Sequence, residues 1–182
     1  MTNYILEATS ISPLSKNKPR QAIILCHGYG GDGKDISTLA ISWQRFLPDA
    51  IFLCPNAPEV CAVNPQGYQW FDLTSEKDNL ILEKSLMAEE KLNIYLDQVF
   101  DNFQLEPNNL SMVGFSQGTM ISLQVALKKN QQINSLIGYS GKIINQKRVK
   151  INKKDTPKTL AKKILAQEHK LYPKAILKIF SL

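Results

Sequence analysis

A chain of 182 residues, 43% hydrophobic and 21% charged, can bury a sizeable core in one domain. Its 9 glycines and 9 prolines exclude a linker or a collagen-like chain. No apolar run reaches the roughly 18 residues of a membrane span, and the start MTNYILEATS lacks the basic and apolar regions of a secretory signal.

The net charge of +6 suggests a nucleic-acid partner until its distribution is read. Residues 1–141 carry a net −4 and residues 142–182 a net +10, so the body is mildly acidic and one short segment holds the whole surplus. That segment has only Tyr172 and Phe180 as aromatics and no recognition motif, which speaks against nucleic acid. Cys26, Cys54 and Cys61 lack metal-ligand spacing and predict buried free thiols in a reducing cytoplasm.

Strand and helix signals alternate along the body. Residues 3–8 form a candidate edge strand. The apolar run of residues 21–26 ends at His27-Gly28 and predicts a buried strand. Ile36, Leu39, Ala40, Trp43, Phe46 and Leu47 recur at helical spacing, with Asp35 as candidate N-cap and Pro48 beyond the end. A second apolar run, residues 50–54, stops at Pro55, and residues 56–72 read as an ordered loop. A long amphipathic helix follows, with Leu82, Leu86, Leu92, Tyr95, Leu96, Val99 and Phe103 expected on its buried face. Residues 110–115 predict a third strand, 118–129 a helix and 133–139 a fourth strand. This alternation predicts an α/β fold, a mostly parallel sheet with helices on both faces.

Gly114-Phe115-Ser116-Gln117-Gly118 matches G-x-S-x-G between an apolar strand and a helix. That setting is a nucleophile elbow, where the glycines permit a sharp turn and lift the serine hydroxyl above the sheet end. Attack by Ser116 on a carbonyl requires donors for the developing oxyanion. The glycine-rich run after the first buried strand, His27-Gly28-Tyr29-Gly30-Gly31-Asp32-Gly33, is placed to supply one. It lacks the Lys-Ser/Thr of a phosphate-binding P-loop and does not match G-x-G-x-x-G.

The segments LCHGYGGDG, PNAPE, GYQWFDL, VGFSQGT and GYSGKI occur in that order over roughly residues 5–145. In this the chain resembles the phospholipase/carboxylesterase family of α/β-hydrolases, which includes acyl-protein thioesterases. The resemblance implies an α/β-hydrolase fold and a serine hydrolase of acyl esters or thioesters that needs no metal or organic cofactor. It implies Ser116 as nucleophile, the Tyr29 and Gln117 amides as oxyanion hole, and Tyr68, Trp70 and Phe71 as walls of the substrate pocket.

A serine also needs a base and an orienting carboxylate, which in these folds follow it in the order acid, then histidine. The family's HG-x-x-D-like segment and its later GH turn are not found after GYSGKI. The histidines are His27, expected to be a structural hydrogen bonder, and His169, which follows the serine as does Asp155. Asp155 and His169 are therefore the acid and base to test. These differences and the charge break near Gly141 imply a family chain truncated or frameshifted near Leu160. The expected organisation is an incomplete hydrolase domain over residues 1–160 and a Lys-rich tail over 161–182, with the C-terminal strands and helices missing or replaced and a sheet edge uncovered. The alternative function is an inactive hydrolase remnant whose basic amphipathic tail meets a membrane or a partner. A dienelactone-hydrolase-like protein would prefer a cysteine at the elbow.

Overall fold

The computed structural model describes residues 4–74 and 78–144, together with Thr156, Lys158, Thr159 and Lys162. The chain divides into two compact units, Met1–Ile144 and Asn145–Leu182. In the second, the hydroxyl of Thr156 accepts the N–H of Thr159 and the hydroxyl of Thr159 accepts the N–H of Thr156, a reciprocal cap beside helical Lys158 and Lys162. Of the tail expected over 161–182, every residue but Lys162 lies outside the described residues. Among the described residues no helix is long and apolar enough to cross a membrane.

The first unit contains β1 (Ala8–Ile11), β2 (Gln21–Cys26), α1 (Gly33–Trp43), β3 (Ala50–Pro55), β4 (Glu59–Val60), β5 (Tyr68–Gln69), α2 (Asp78–Phe103), β6 (Leu110–Phe115), α3 (Gln117–Lys128) and β7 (Ser135–Tyr139). One sheet has the order β1-β3-β2-β6-β7, antiparallel only between β1 and β3. The chain moves from β2 to β3 on one side and later returns to β6 on the other. Strand order therefore reverses at β2 and β6, which opens a crevice beyond their carboxyl ends.

The strands read as continuous apolar runs because both faces are covered. Ala22, Ile24, Cys26, Leu110 and Met112 enter one core with α2 and α3. Ile23, Leu25, Phe52 and Val113 enter a second core with α1. Along α2, Ser85, Ala88, Leu92, Tyr95, Leu96 and Val99 form the buried face, and each large apolar side chain there contributes roughly 1.5–3 kcal/mol. Leu86 departs from the expected pattern at 46% exposed. Six residues separate it from Leu92, which puts the two on different sides of a helix of 3.6 residues per turn. Glu89 instead ties α2 to α3, accepting from Gln124 Nε2 at 2.6 Å and Lys128 Nζ at 2.7 Å.

Three further expectations need correction. The edge strand is Ala8–Ile11, not residues 3–8. Tyr4 and Leu6 still pack into the core, but the Ile5 N–H and the Tyr4 hydroxyl bond Gln98 and Asn102 of α2 instead of a strand. The 56–72 segment holds the short β4–β5 hairpin. The cap of α1 is Asp32 and not Asp35: Asp32 Oδ1 accepts the Asp35 N–H at 2.7 Å, and the helix ends at Trp43, leaving Phe46 69% exposed. At the far side of the sheet β7 pairs only with β6 among the described residues, with Ile137 and Tyr139 about half exposed.

Asp32→Ala removes a cap and is expected to lower stability by about 1 kcal/mol, whereas Asp35→Ala keeps the cap and changes less. Urea midpoints of the two variants check the order.

Candidate active site at the carboxyl ends of β2 and β6

Ser116 joins β6 to α3 with φ 52° and ψ −113°, a conformation that L-residues rarely adopt. Close packing enforces it. A Cβ at Gly114 would lie 2.5 Å from the Cα of Thr119, and one at Gly118 would overlap the Cys26 carbonyl on β2. The glycines of the motif thus let strand, turn and helix approach one another. The Ser116 N–H donates to the Tyr139 carbonyl at 2.7 Å, tying the elbow to the end of β7. The serine side chain makes no capping hydrogen bond to α3.

The turn after β2 lies against the elbow. A Cβ on Gly28 would come 3.4 Å from Ser116 Cβ. Gly31 N–H closes the turn on the Gly28 carbonyl at 3.1 Å, and Gly30 sits at φ 77°, where glycine is favoured. Gly30 N–H is taken by the Tyr68 carbonyl at 2.9 Å, and Tyr68 N–H returns to the Gly31 carbonyl at 2.8 Å. Of the three amides from Tyr29 to Gly31, only that of Tyr29 has no acceptor among the described residues. Gln117, the first residue of α3, likewise has an uncommitted N–H there. The structure brings together Ser116, Tyr29 and Gln117 at the sheet's switch point.

The aromatic residues occupy two different settings. Tyr68 lies beside the turn and is partly exposed, whereas Trp70 and Phe71 are fully buried members of the main core. Neither of these rings, nor that of Tyr68, is among the groups that line the cavity at this end of the sheet. Their backbone is engaged by the Gln117 side chain: Oε1 accepts the Trp70 N–H at 2.9 Å and Nε2 donates to the Phe71 carbonyl at 2.5 Å. The cavity, of about 380 Å³, is lined mainly by apolar groups, including Tyr29, Ile36, Leu39, Val113, Phe115 and Tyr139.

His27 is a structural hydrogen bonder, as expected from its position. Its Nε2 accepts the Ala57 N–H at 3.0 Å, which puts the proton of the neutral ring on Nδ1, 2.7 Å from the Gly28 carbonyl. Both ring nitrogens are therefore engaged. Burial holds its pKa below the ordinary histidine value, although the Gly28 bond and the charges of Asp32 and Asp35 act the other way. Asp155 and His169 lie outside the described residues. The Asp72 carboxylate accepts from Thr74 and from Lys84 Nζ, which lower its pKa to about 2. Cys26, Cys54 and Cys61 are free and buried, and burial pushes the first two thiols up to about 12. Among the described residues no group of three or more His, Cys, Asp or Glu could hold a metal ion.

Sequence reasoning did not single out Thr119 or the Gln117 side chain. The Thr119 hydroxyl lies 2.7 Å from the Gly114 carbonyl and 2.9 Å from that of Tyr139, and accepts the Tyr139 N–H at 3.0 Å. Both residues stand in the VGFSQGT segment, so the signal was present, but a motif shows which residues are near the turn and not whom they bond.

Gly118→Ala is expected to lose about 3 kcal/mol, because the new methyl meets backbone that cannot give way, and chemical denaturation measures this. Since His27 has a lowered folded-state pKa, the unfolded chain binds more protons. Its contribution is present above the unfolded value near 6.5 and is lost as pH falls through the folded value. Melting temperatures are expected to drop between about pH 7 and pH 5, with a shallower drop in His27→Gln.

The family model described as Phospholipase/Carboxylesterase matches residues 9–180. Acyl-protein thioesterase 1 of Emericella nidulans is 23% identical over 146 residues, 73% of this chain and 61% of that protein. Its namesake in Schizosaccharomyces pombe is 27% identical over 128 residues, 65% of this chain and 54% of that protein. The crystal structure of esterase PE8 superposes with a TM-score of 0.72 and 34% identity, over 76% of this chain and 65% of that one. This chain thus spans less than two thirds of the length of each of these proteins. With its mostly parallel sheet and the elbow at the end of β6, it belongs to the phospholipase/carboxylesterase family of α/β-hydrolases.

Proposed function

We propose that this protein cleaves small acyl esters or thioesters through an acyl-enzyme on Ser116. The observation that carries this reading is the pairing of a strained, uncapped serine with two uncommitted amides, Tyr29 N–H and Gln117 N–H, at one sheet end. In the reaction Ser116 Oγ attacks the carbonyl carbon, and negative charge develops on the carbonyl oxygen. Two aligned N–H donors stabilise that charge more in the transition state than in the substrate. Collapse expels the alcohol or thiol, and water then releases the acid by the same route. The apolar cavity beside Tyr29 and Phe115 suits the hydrocarbon part of the acyl group.

The proton of Ser116 needs an acceptor. His27 is a poor one, because Nε2 already holds the Ala57 N–H and Nδ1 carries the ring's proton. Within these 182 residues the other histidine is His169. It stands in Gln167-Glu168-His169-Lys170, without the glycine turn that carries the family's histidine. The reading is of a slow hydrolase in which solvent takes the Ser116 Oγ proton as the bond to the acyl carbon forms and returns a proton to the departing alcohol or thiol.

Hydrolysis of p-nitrophenyl butyrate by the full chain tests this. The expected result is a slow rate that disappears in Ser116→Ala and survives in His169→Ala. Equal rates in the parent and Ser116→Ala would overturn the reading. A rate that collapses in His169→Ala would make His169 the base and Asp155 its candidate partner.

A further inference from the structure

The Gly28–Tyr29 peptide is trans, so its carbonyl and its N–H point to opposite sides of one plane. Whatever holds the Gly28 carbonyl therefore aims the Tyr29 N–H. Two donors hold it, Gly31 N–H at 3.1 Å and the His27 ring at 2.7 Å. We propose that His27 is a positioning residue: its Nδ1–H fixes the Gly28 carbonyl and so turns the Tyr29 N–H toward the carbonyl oxygen of an ester on Ser116. This rests on the reading of Ser116 as nucleophile.

The ring is set from several sides. Ala57 N–H takes Nε2 at 3.0 Å, which leaves the single proton of the neutral ring on the nitrogen that faces Gly28. The Trp70 indole packs 5.7 Å from the ring and donates through Nε1 to the His27 carbonyl at 3.0 Å. The Trp70 N–H in turn donates to the side chain of Gln117 at 2.9 Å. One path of hydrogen bonds thus runs from the residue that carries one free amide to the peptide that carries the other.

Three variants separate this role from packing. Asn at position 27 places a donor near the Nδ1 position and can keep the Gly28 bond. Gln reaches the Nε2 position and can keep the Ala57 bond. Phe keeps the ring and neither bond. Purified full-length parent, His27→Asn, His27→Gln and His27→Phe are compared in p-nitrophenyl butyrate hydrolysis and in the ¹H–¹⁵N resonance of the Tyr29 amide. The expected result is a kcat lowered by up to about 10²-fold in Gln and Phe, the scale of a misplaced catalytic group, with KM nearly unchanged. Asn recovers most of the rate, and the Tyr29 resonance moves in Gln and Phe but not in Asn. Equal behaviour of Asn and Gln, or a Tyr29 resonance unmoved in all three, overturns the proposal.

The unmodified protein provides a check that does not depend on how the variants fold. Its His27 Nδ1 proton is expected to show coupling across the hydrogen bond to the Gly28 carbonyl carbon, and absence of that coupling also overturns the proposal. If Ser116→Ala is as active as the parent, the esterase reading falls, and the Tyr29 resonance alone decides whether His27 sets this peptide.

Discussion

The backbone at Ser116 is the constraint on which the site depends. A serine at φ 52° costs on the order of 1–3 kcal/mol, which the surrounding structure must offset. The offset comes from packing that only glycine permits. Gly114 lets β6 approach Thr119, and Gly118 lets α3 settle on the carbonyl end of β2. Thr119 then spans the elbow with three polar contacts, and Tyr139 takes the Ser116 N–H. β7 therefore does more than extend the sheet, because its last residue holds the turn in its unusual conformation. The same geometry leaves the serine hydroxyl uncapped and the first amide of α3 uncommitted.

The second half of the site follows from topology. Parallel strands place the turns after β2 and β6 at the same end of the sheet, and the reversal of strand order puts those strands side by side. Adjacent strands bring the 27–31 turn against the elbow. The β4–β5 hairpin then takes up Gly30 N–H and Gly31 C=O through Tyr68. Sheet order and hairpin pairing together single out Tyr29 N–H. On the proposed function these two amides would stabilise an anion without a charged side chain, which suits a neutral ester or thioester.

Much of this was legible in the residues. Two apolar runs gave β2 and β6 with their observed limits, because a strand covered on both faces has no polar alternation to blur its ends. The elbow was legible because G-x-S-x-G between a strand and a helix has a steric reason for each glycine. Other features depend on partners that a linear reading cannot see. Asp32 rather than Asp35 caps α1 because the backbone is extended at Asp32, which lets its side chain turn back to the Asp35 N–H. The GYQWFDL segment shows Trp70 and Phe71 as aromatics, but not their full burial or the hold of the Gln117 side chain on their backbone. The first strand shifted because α2, far away in sequence, supplies the partners of Tyr4 and Ile5. The charge break near Gly141 falls close to the boundary of the two units at residues 144 and 145.

The central claim is that the elbow and the 27–31 turn present two aligned amides to a carbonyl oxygen above Ser116. A crystal structure of the chain after reaction with a butyl fluorophosphonate tests it most directly, since the tetrahedral phosphonate mimics the attacked ester. The expected adduct is on Ser116 Oγ, with its phosphoryl oxygen about 2.7–3.1 Å from both Tyr29 N and Gln117 N. An adduct on another residue, or a phosphoryl oxygen directed away from those two amides, would contradict it.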